Sequence, residues 1–268
     1  MDRAGDMQQA FFFDFDDTLY SHRRKCVPDS ARDALMRLHR CGHIMAVVTG
    51  RGPESIPFIR QALGVPCETI VLLNGQLIFR NGARIFERFI AIPSMHRIIE
   101  TAKRCGFAYG GYCRDGEIVN QLNSRVQAVW KDFCFPLPVV LEGFEQKYRL
   151  YQGHLYITKE EAGCFGDCLE EYVINWSHQY LVNLIPKKGG KSLGIYWLIQ
   201  DYNVSKANTF AFGDGFNDMD MLLSVGHGIA MGNAQDDLKR IAEHVTDAVD
   251  DDGILHALEY YGITGNGS

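Results

Sequence analysis

Between Ala10 and Tyr20 the chain reads AFFFDFDDTLY. Four apolar residues, Ala10 to Phe13, run without a break into Asp14, and Phe15, Asp16, Asp17 and Thr18 follow. A short unbroken run of bulky apolar residues predicts a strand buried on both faces, as in a parallel sheet. Asp14 and Asp16 then fall at its carboxyl end, where open α/β sheets bind their ligands. Carboxylates crowded there repel one another, and a divalent metal offsets that repulsion. Mg²⁺ suits the position, since it takes oxygen ligands and is usually held by one or two carboxylates plus substrate phosphate. A strand ending in an acidic turn gives the same letters, because Asp and Thr are ordinary turn formers.

Downstream the pattern alternates. Ala31, Ala34, Leu35 and Leu38 have helical spacing within Pro28 to Cys41, with Asp29 or Ser30 as cap and Gly42 at the C-terminal end. His43 to Val48 predicts a second strand delivering Thr49-Gly50-Arg51 to the same sheet edge, followed by a helix from Pro53 to Leu63 and a strand from Thr69 to Leu73. This β-α-β-α-β order, with short connections, predicts an α/β doubly wound parallel sheet. The pattern then breaks. Asn74-Gly75 and Asn81-Gly82 both lie between apolar stretches and signal hairpins.

From Phe86 to Ile185 short strands and helices mix, which predicts an inserted α+β unit. Pro93 to Cys105, Gln121 to Phe133 and Lys159 to Tyr172 read as helices; Phe107 to Cys113, His154 to Thr158 and Tyr180 to Ile185 read as strands. Past Pro186 the alternation resumes with a helix from Gly190 to Tyr202, with Leu193, Trp197 and Leu198 on one side. A strand from Asn208 to Phe212, a helix from Met219 to Val225, a strand from His227 to Ala230 and a helix from Ile254 to Tyr260 follow. The expected organisation is a core sheet from residues 1–85 and 186–268, with the insertion at 86–185.

The formal charge of −6 argues against a nucleic-acid partner, which calls for a basic face. No stretch approaches the roughly 20 apolar residues of a membrane helix. Asp2, Arg3 and Asp6 stand where a secretory signal needs an apolar core. Eight cysteines without a CxxC pair read as reduced thiols, with Cys164 and Cys168 on one helix face. We therefore expect a cytoplasmic protein with neither nucleic acid nor membrane as partner, and take it to be monomeric or weakly dimeric.

Four polar clusters fall at strand ends or a helix start: Asp14/Asp16, Thr49, Lys191 and Asp214/Asn217/Asp218. Their combination resembles the haloacid dehalogenase superfamily. DFDDT is similar to its DxDxT motif, VVTGR to its second motif, KKGGKSLG to the motif-three lysine opening a helix, and GDGFNDMDML to GDxxND. AMGNA at Ala230 to Ala234 and DDDGI at Asp250 to Ile254 resemble the Cof-type subgroup, whose type-IIB cap lies between motifs two and three. Asp17 stands where many relatives have Gly and reads as a turn residue. The cap carries no matching motif.

The resemblance implies a Mg²⁺-dependent phosphatase acting on small phosphomonoesters, such as sugar phosphates, through an aspartyl-phosphate. It makes Asp14 the nucleophile and Asp16 the acid and base, with an Asp16 carboxyl titrating above that of Asp14. The metal is expected on the Asp14 carboxylate, the Asp16 backbone carbonyl and the Asp214 carboxylate, with Asp218 either a direct ligand or a support for one. Thr49, Gly50, Lys191 and Asn217 are expected to take phosphate oxygens. Lys191 at a helix start is otherwise disfavoured by the macrodipole. Asn74 reads as a hairpin residue first and a substrate contact second, and Arg51 is given no role. Two rivals share these residues: a phosphomutase, and a catalytically silent sugar-phosphate sensor. Dehalogenation is disfavoured because it does not need Asp16.

Overall fold

The computed structural model describes residues 8–133, 135–187 and 189–263. Asp2, Arg3 and Asp6, together with Cys134 and Lys188 of the KKGGKSLG stretch, lie outside the described residues. The chain divides into two compact units, Met1–Phe86 with Lys191–Ser268, and Glu87–Gly190.

In the first unit, β1 (Ala10–Phe13) is followed by α1 (Asp29–Arg40), β2 (Ile44–Val48), α2 (Ile56–Leu63) and β3 (Thr69–Leu72). A hairpin pair, β4 (Leu77–Arg80) and β5 (Ala83–Glu87), comes next. The inserted unit holds α3 (Ile92–Cys105), β6 (Ala108–Cys113), β7 (Gly116–Val119), α4 (Ser124–Asp132) and β8 (Val139–Val140). Its remaining strands are β9 (Gln152–Tyr156), β10 (Tyr172–His178) and β11 (Leu181–Pro186). The first unit resumes with α5 (Lys191–Asp201), β12 (Thr209–Gly213), α6 (Met219–Ser224), β13 (His227–Ala230), α7 (Asp236–Ile241), β14 (His244–Val245) and α8 (Gly253–Tyr260).

The first sheet runs β14-β13-β12-β1-β2-β3-β4-β5. It is parallel from β14 to β3, and β4 returns antiparallel. Phe11, Phe12 and Phe13 of β1 are at most 1% exposed. Burying each contributes about 1.5–3 kcal/mol, so the run behaves as a central strand must. The Phe11 and Phe13 rings stack on Phe210 and Phe212 of β12 at 4.8 Å, which fixes the register across the point where strand order reverses. That reversal leaves a crevice at the carboxyl ends of β1, β2 and β12.

Helix α1 buries the four residues whose spacing predicted it. Its expected cap is absent: Pro28 precedes the helix, and the Ser30 hydroxyl instead donates to Asp252 at 2.6 Å. On α5 the buried face is Lys191, Gly194, Ile195, Leu198 and Ile199, rotated from the one expected, with Leu193 and Trp197 half-buried.

The inserted unit is a six-stranded sheet, β10-β11-β9-β6-β7-β8, antiparallel except for β7 with β8. One apolar cluster packs α3 residues Met95, Ile98 and Ile99 onto Tyr109, Leu155 and Leu184. A second joins α4 residues Val126, Val129 and Trp130 to Tyr156 and Leu181. The helix expected over Lys159 to Tyr172 is a 3₁₀ stretch, Glu161–Glu171, kinked at Gly166, whose φ of 46° and ψ of −133° interrupt helical geometry. Cys164 and Cys168 therefore do not share an unbroken α-helical face. No helix among the described residues is long and apolar enough to cross a membrane, and the seven described cysteines form no disulfide.

Candidate active site

Every residue singled out for chemistry lies in the first unit, at or just beyond the carboxyl ends of its strands except Lys191, which opens a helix. Asp14 follows β1, and its backbone N–H donates to the Phe212 carbonyl at 2.9 Å, locking it beside β12. Thr49 follows β2 and donates its N–H to Val71; Asp214 follows Gly213, the last residue of β12. Lys191 opens α5, which lies close to β3 because Gly194 has no side chain. A Cβ there would come within 2.6 Å of Val71.

The centre of the site is a buried charge cluster. Lys191 is fully buried and its ammonium donates to Asp14 and, at 2.5 Å, to Asp218. The other Asp218 oxygen accepts the backbone N–H groups of Asp214 and Gly215 at 3.0 and 2.9 Å, so both its oxygens are engaged. Gly213 makes room for this carboxylate: a Cβ there would stand 2.6 Å from it. Thr18, itself buried, donates to Asp214 at 3.1 Å. Carboxylate oxygens of Asp14, Asp214 and Asp218 all lie within 4.8 Å of one another.

Burial raises the Asp14 carboxyl well above its ordinary range, and Asp218, Asp214 and Asp16 add to the rise against the opposing pull of Lys191. Burial and Asp218 likewise push Asp214 up to about 7, while Thr18 and Lys191 oppose the shift. Burial disfavours the Lys191 ammonium, but Asp14 and Asp218 more than reverse this, so it stays charged.

Asp16 departs from expectation. Its carboxylate turns to Arg51, which donates from Nε and an η nitrogen at 2.8 and 2.6 Å, and to His22 at 2.8 Å. Burial alone would raise its carboxyl; the Arg51 fork, then His22, outweigh burial and hold it below the ordinary value. The expected order of Asp16 above Asp14 is therefore reversed. The cause is a cation that repulsion among carboxylates does not take into account. Arg51 is itself held over Phe15 and Phe58, with 5.3 and 5.1 Å to the ring centroids.

The phosphate-site candidates gather around a strained turn. Leu73, Asn74 and Gly75 have φ of 51°, 52° and 91°, costly at a buried leucine. The turn is held by Leu73 N–H to Arg51 and Asn74 N–H to Thr49, both 3.0 Å. It sets the Asn74 side chain against Gly50, where its oxygen accepts from the Asn217 amide at 3.1 Å. The Thr49 hydroxyl accepts the Arg51 N–H at 3.2 Å and keeps its own proton to donate. Asp17, at φ 53°, occupies the left-handed conformation that suits Gly.

Sequence reading missed three supports. Arg51 and His22 carried no signal, because neighbours in sequence do not reveal which way a loop arginine turns. Asp220 accepts from the backbone N–H and hydroxyl of Ser192 at 2.9 and 2.6 Å, capping the helix that presents Lys191. Its place beside the fourth cluster was the available hint.

The donors fit a hard divalent cation. Among the described residues, Asp14, Asp214 and Asp218 bring carboxylate oxygens together with no sulfur or nitrogen ligand in the group, and the upward push on Asp14 and Asp214 shows how little positive charge offsets them.

Residues 11–258 match the family model described as haloacid dehalogenase-like hydrolase. YkrA of Bacillus subtilis is 30% identical over 268 residues, covering 94% of this chain and 97% of the relative. The BT1666 phosphatase of Bacteroides thetaiotaomicron superposes with a TM-score of 0.86 at 28% identity, covering 98% of both chains. The subclass IIB sugar phosphatase BT4131 gives 0.82 at 26% identity, covering 96% of this chain and all of its own.

Proposed function

Given that this chain belongs to the haloacid dehalogenase-like hydrolases and is a phosphatase of that superfamily, we propose that it hydrolyses small phosphomonoesters, sugar phosphates among them, with Mg²⁺ and through an aspartyl-phosphate on Asp14. One observation carries the proposal: the buried Asp14 carboxylate stands at the end of the central strand, bound to a fully buried Lys191 and grouped with Asp214 and Asp218.

A carboxylate approaching a phosphate dianion meets repulsion of several kcal/mol at an effective dielectric near 20. Lys191 offsets part of it from below the nucleophile. Asp14 and Asp214 would hold Mg²⁺ through their carboxylates, and Asp16 through its backbone carbonyl. Asp218, whose oxygens are already engaged, keeps Lys191 and the Asp214 loop in place. When bound, Mg²⁺ supplies positive charge that draws the phosphate in and stabilises charge developing on its oxygens.

Asp14 attacks phosphorus as the ester bond breaks. Asp16 gives its proton to the departing oxygen, then takes one from the water that hydrolyses the aspartyl-phosphate. Thr49 through its hydroxyl, Gly50 through its N–H and Asn217 through its remaining amide proton donate to the phosphate oxygens. The Arg51 fork holds Asp16 in the resting enzyme, and Asp16 must leave it, protonated, to serve as acid.

A phosphate-release screen over sugar, nucleotide and vitamin phosphates, with Mg²⁺ and with excess chelator, tests this reading. Release from at least one class, abolished by chelator and restored by Mg²⁺, is expected. Release unaffected by chelator refutes the metal role. Ligand binding without turnover of any ester favours a silent sensor, and turnover that needs a bisphosphate activator favours a mutase.

A further inference from the structure

We propose that the inserted unit carries a second ligand site, a pocket at the start of α3 that binds a small organic anion with an apolar body. The cavity measures about 530 Å³ and is lined entirely by residues of that unit. Its size is that of small-molecule sites in general. None of its residues belongs to the catalytic set, so the proposal is independent of the hydrolytic mechanism.

Three features of its wall point to an anion. The first is the N-terminus of α3, where Ala91 and Ser94 line the cavity. This helix has 14 residues and no side-chain cap; Pro93 in its first turn has no N–H, so the N–H groups of Ile92 and Ser94 and the positive end of the dipole are what it offers a ligand. The second is a pair of exposed cations, Arg149 and Lys187, neither of which pairs with a carboxylate among the described residues. Arg149 lies over the Phe89 ring at 4.5 Å, which holds its guanidinium at the pocket wall.

The third feature is buried. Tyr172 is 3% exposed and lines the cavity; its hydroxyl makes no hydrogen bond of normal geometry, the Ser94 hydroxyl beside it only easing the upward pull on the phenol. The nearby Ser94 hydroxyl is committed to Glu171, which also takes Arg97. Glu171 is the carboxylate in the lining, and Arg97 offsets its charge. Burial pushes the Tyr172 phenol up to about 12, so it keeps its proton and can only be satisfied by an acceptor when it donates. An unpaired buried hydroxyl costs about 1–3 kcal/mol, which a ligand oxygen would recover. Phe89, Ile90 and Pro186 supply the apolar part of the wall.

Phenylphosphonate is a suitable probe, since it places a dianion on an apolar ring and has no scissile ester. Calorimetric titration of the full chain is run in chelator, and because the variants below leave the catalytic residues untouched, a binding event that they weaken belongs to this pocket. The wild type should bind one equivalent. Arg149→Ala/Lys187→Ala should weaken that event by about tenfold or more, two charge-assisted contacts being lost. Tyr172→Phe, which keeps the ring in place, should weaken it by about threefold or more. Inorganic phosphate should bind less tightly than phenylphosphonate. Failure of the wild type to bind at about 10 mM, or unchanged affinity in the double variant with an intact circular dichroism spectrum, overturns the proposal.

Discussion

The Arg51 guanidinium grips the Asp16 carboxylate through two hydrogen bonds of 2.8 and 2.6 Å. Paired and fork-shaped contacts of this kind are strong and directional. They hold the proposed acid ionised and turned aside, so Arg51 sets both its direction and its proton affinity. Removing Arg51 lifts the downward pull on the Asp16 carboxyl. The acid form then persists to higher pH, and Arg51→Ala should move the alkaline limb of kcat/KM upward for an alkyl phosphate. A pH–rate profile checks this; an unmoved or lowered limb removes Arg51 from the control of Asp16.

Asp14→Asn should abolish phosphate release, by about 10⁴-fold or more, as loss of a sole nucleophile does. The fold should persist, because Lys191 keeps its bond to Asp218. Turnover of an aryl phosphate near the wild-type rate, with deamidation excluded by mass spectrometry, would contradict the covalent role.

Lys191→Met should cost about 3–5 kcal/mol, because it strands two buried carboxylates. Urea unfolding in chelator measures the loss, and Mg²⁺ should restore part of it by taking over the charge. A loss below about 1 kcal/mol would mean that the carboxylates are neutral without Lys191.

Stability without metal should depend on pH in an unusual direction. The folded Asp214 carboxyl titrates near 7, against an ordinary value of 3.8. Its contribution is full below about pH 4 and is lost as pH rises through 7, at up to about 1.4 kcal/mol per pH unit. Asp14, raised by burial, acts in the same sense. Calorimetry in chelator should therefore give a lower Tm at pH 8 than at pH 6. Mg²⁺ competes with the protons and should raise Tm more at pH 8. A Mg²⁺ effect that shrinks with rising pH would show that the ion binds elsewhere.

Much of the sheet was legible because short unbroken apolar runs such as Phe11 to Phe13 have few places to go but the middle of a sheet. The turns at Asn74-Gly75 and Asn81-Gly82 were legible for the same local reason, since their backbone requires left-handed residues. Strand β10, YVINWSH, was missed because its partly exposed side chains follow no clean alternation. The 3₁₀ stretch was read as an α-helix because the break at Gly166 is a matter of backbone angle rather than polarity. In the site, the residues on strand ends were readable from type and order. Arg51, Asn74 and Asp220 act through contacts fixed by tertiary packing, by Phe15 and Phe58, by Asn217 and by Ser192 respectively. Sequence spacing carries no trace of those.

A phosphoryl group carried on Asp14 leaves a kinetic trace that rapid-quench measurement of Asp16→Asn with a nitrophenyl phosphate reads. This leaving group needs no proton, so phosphorylation should survive, while hydrolysis of the intermediate loses its base and slows by about 10²–10⁴-fold. The expected result is a burst of one equivalent of nitrophenolate, slow turnover after it, and an acid-quenched peptide phosphorylated at Asp14. Linear release with no burst, and no phosphate on the peptide that contains Asp14, would contradict it.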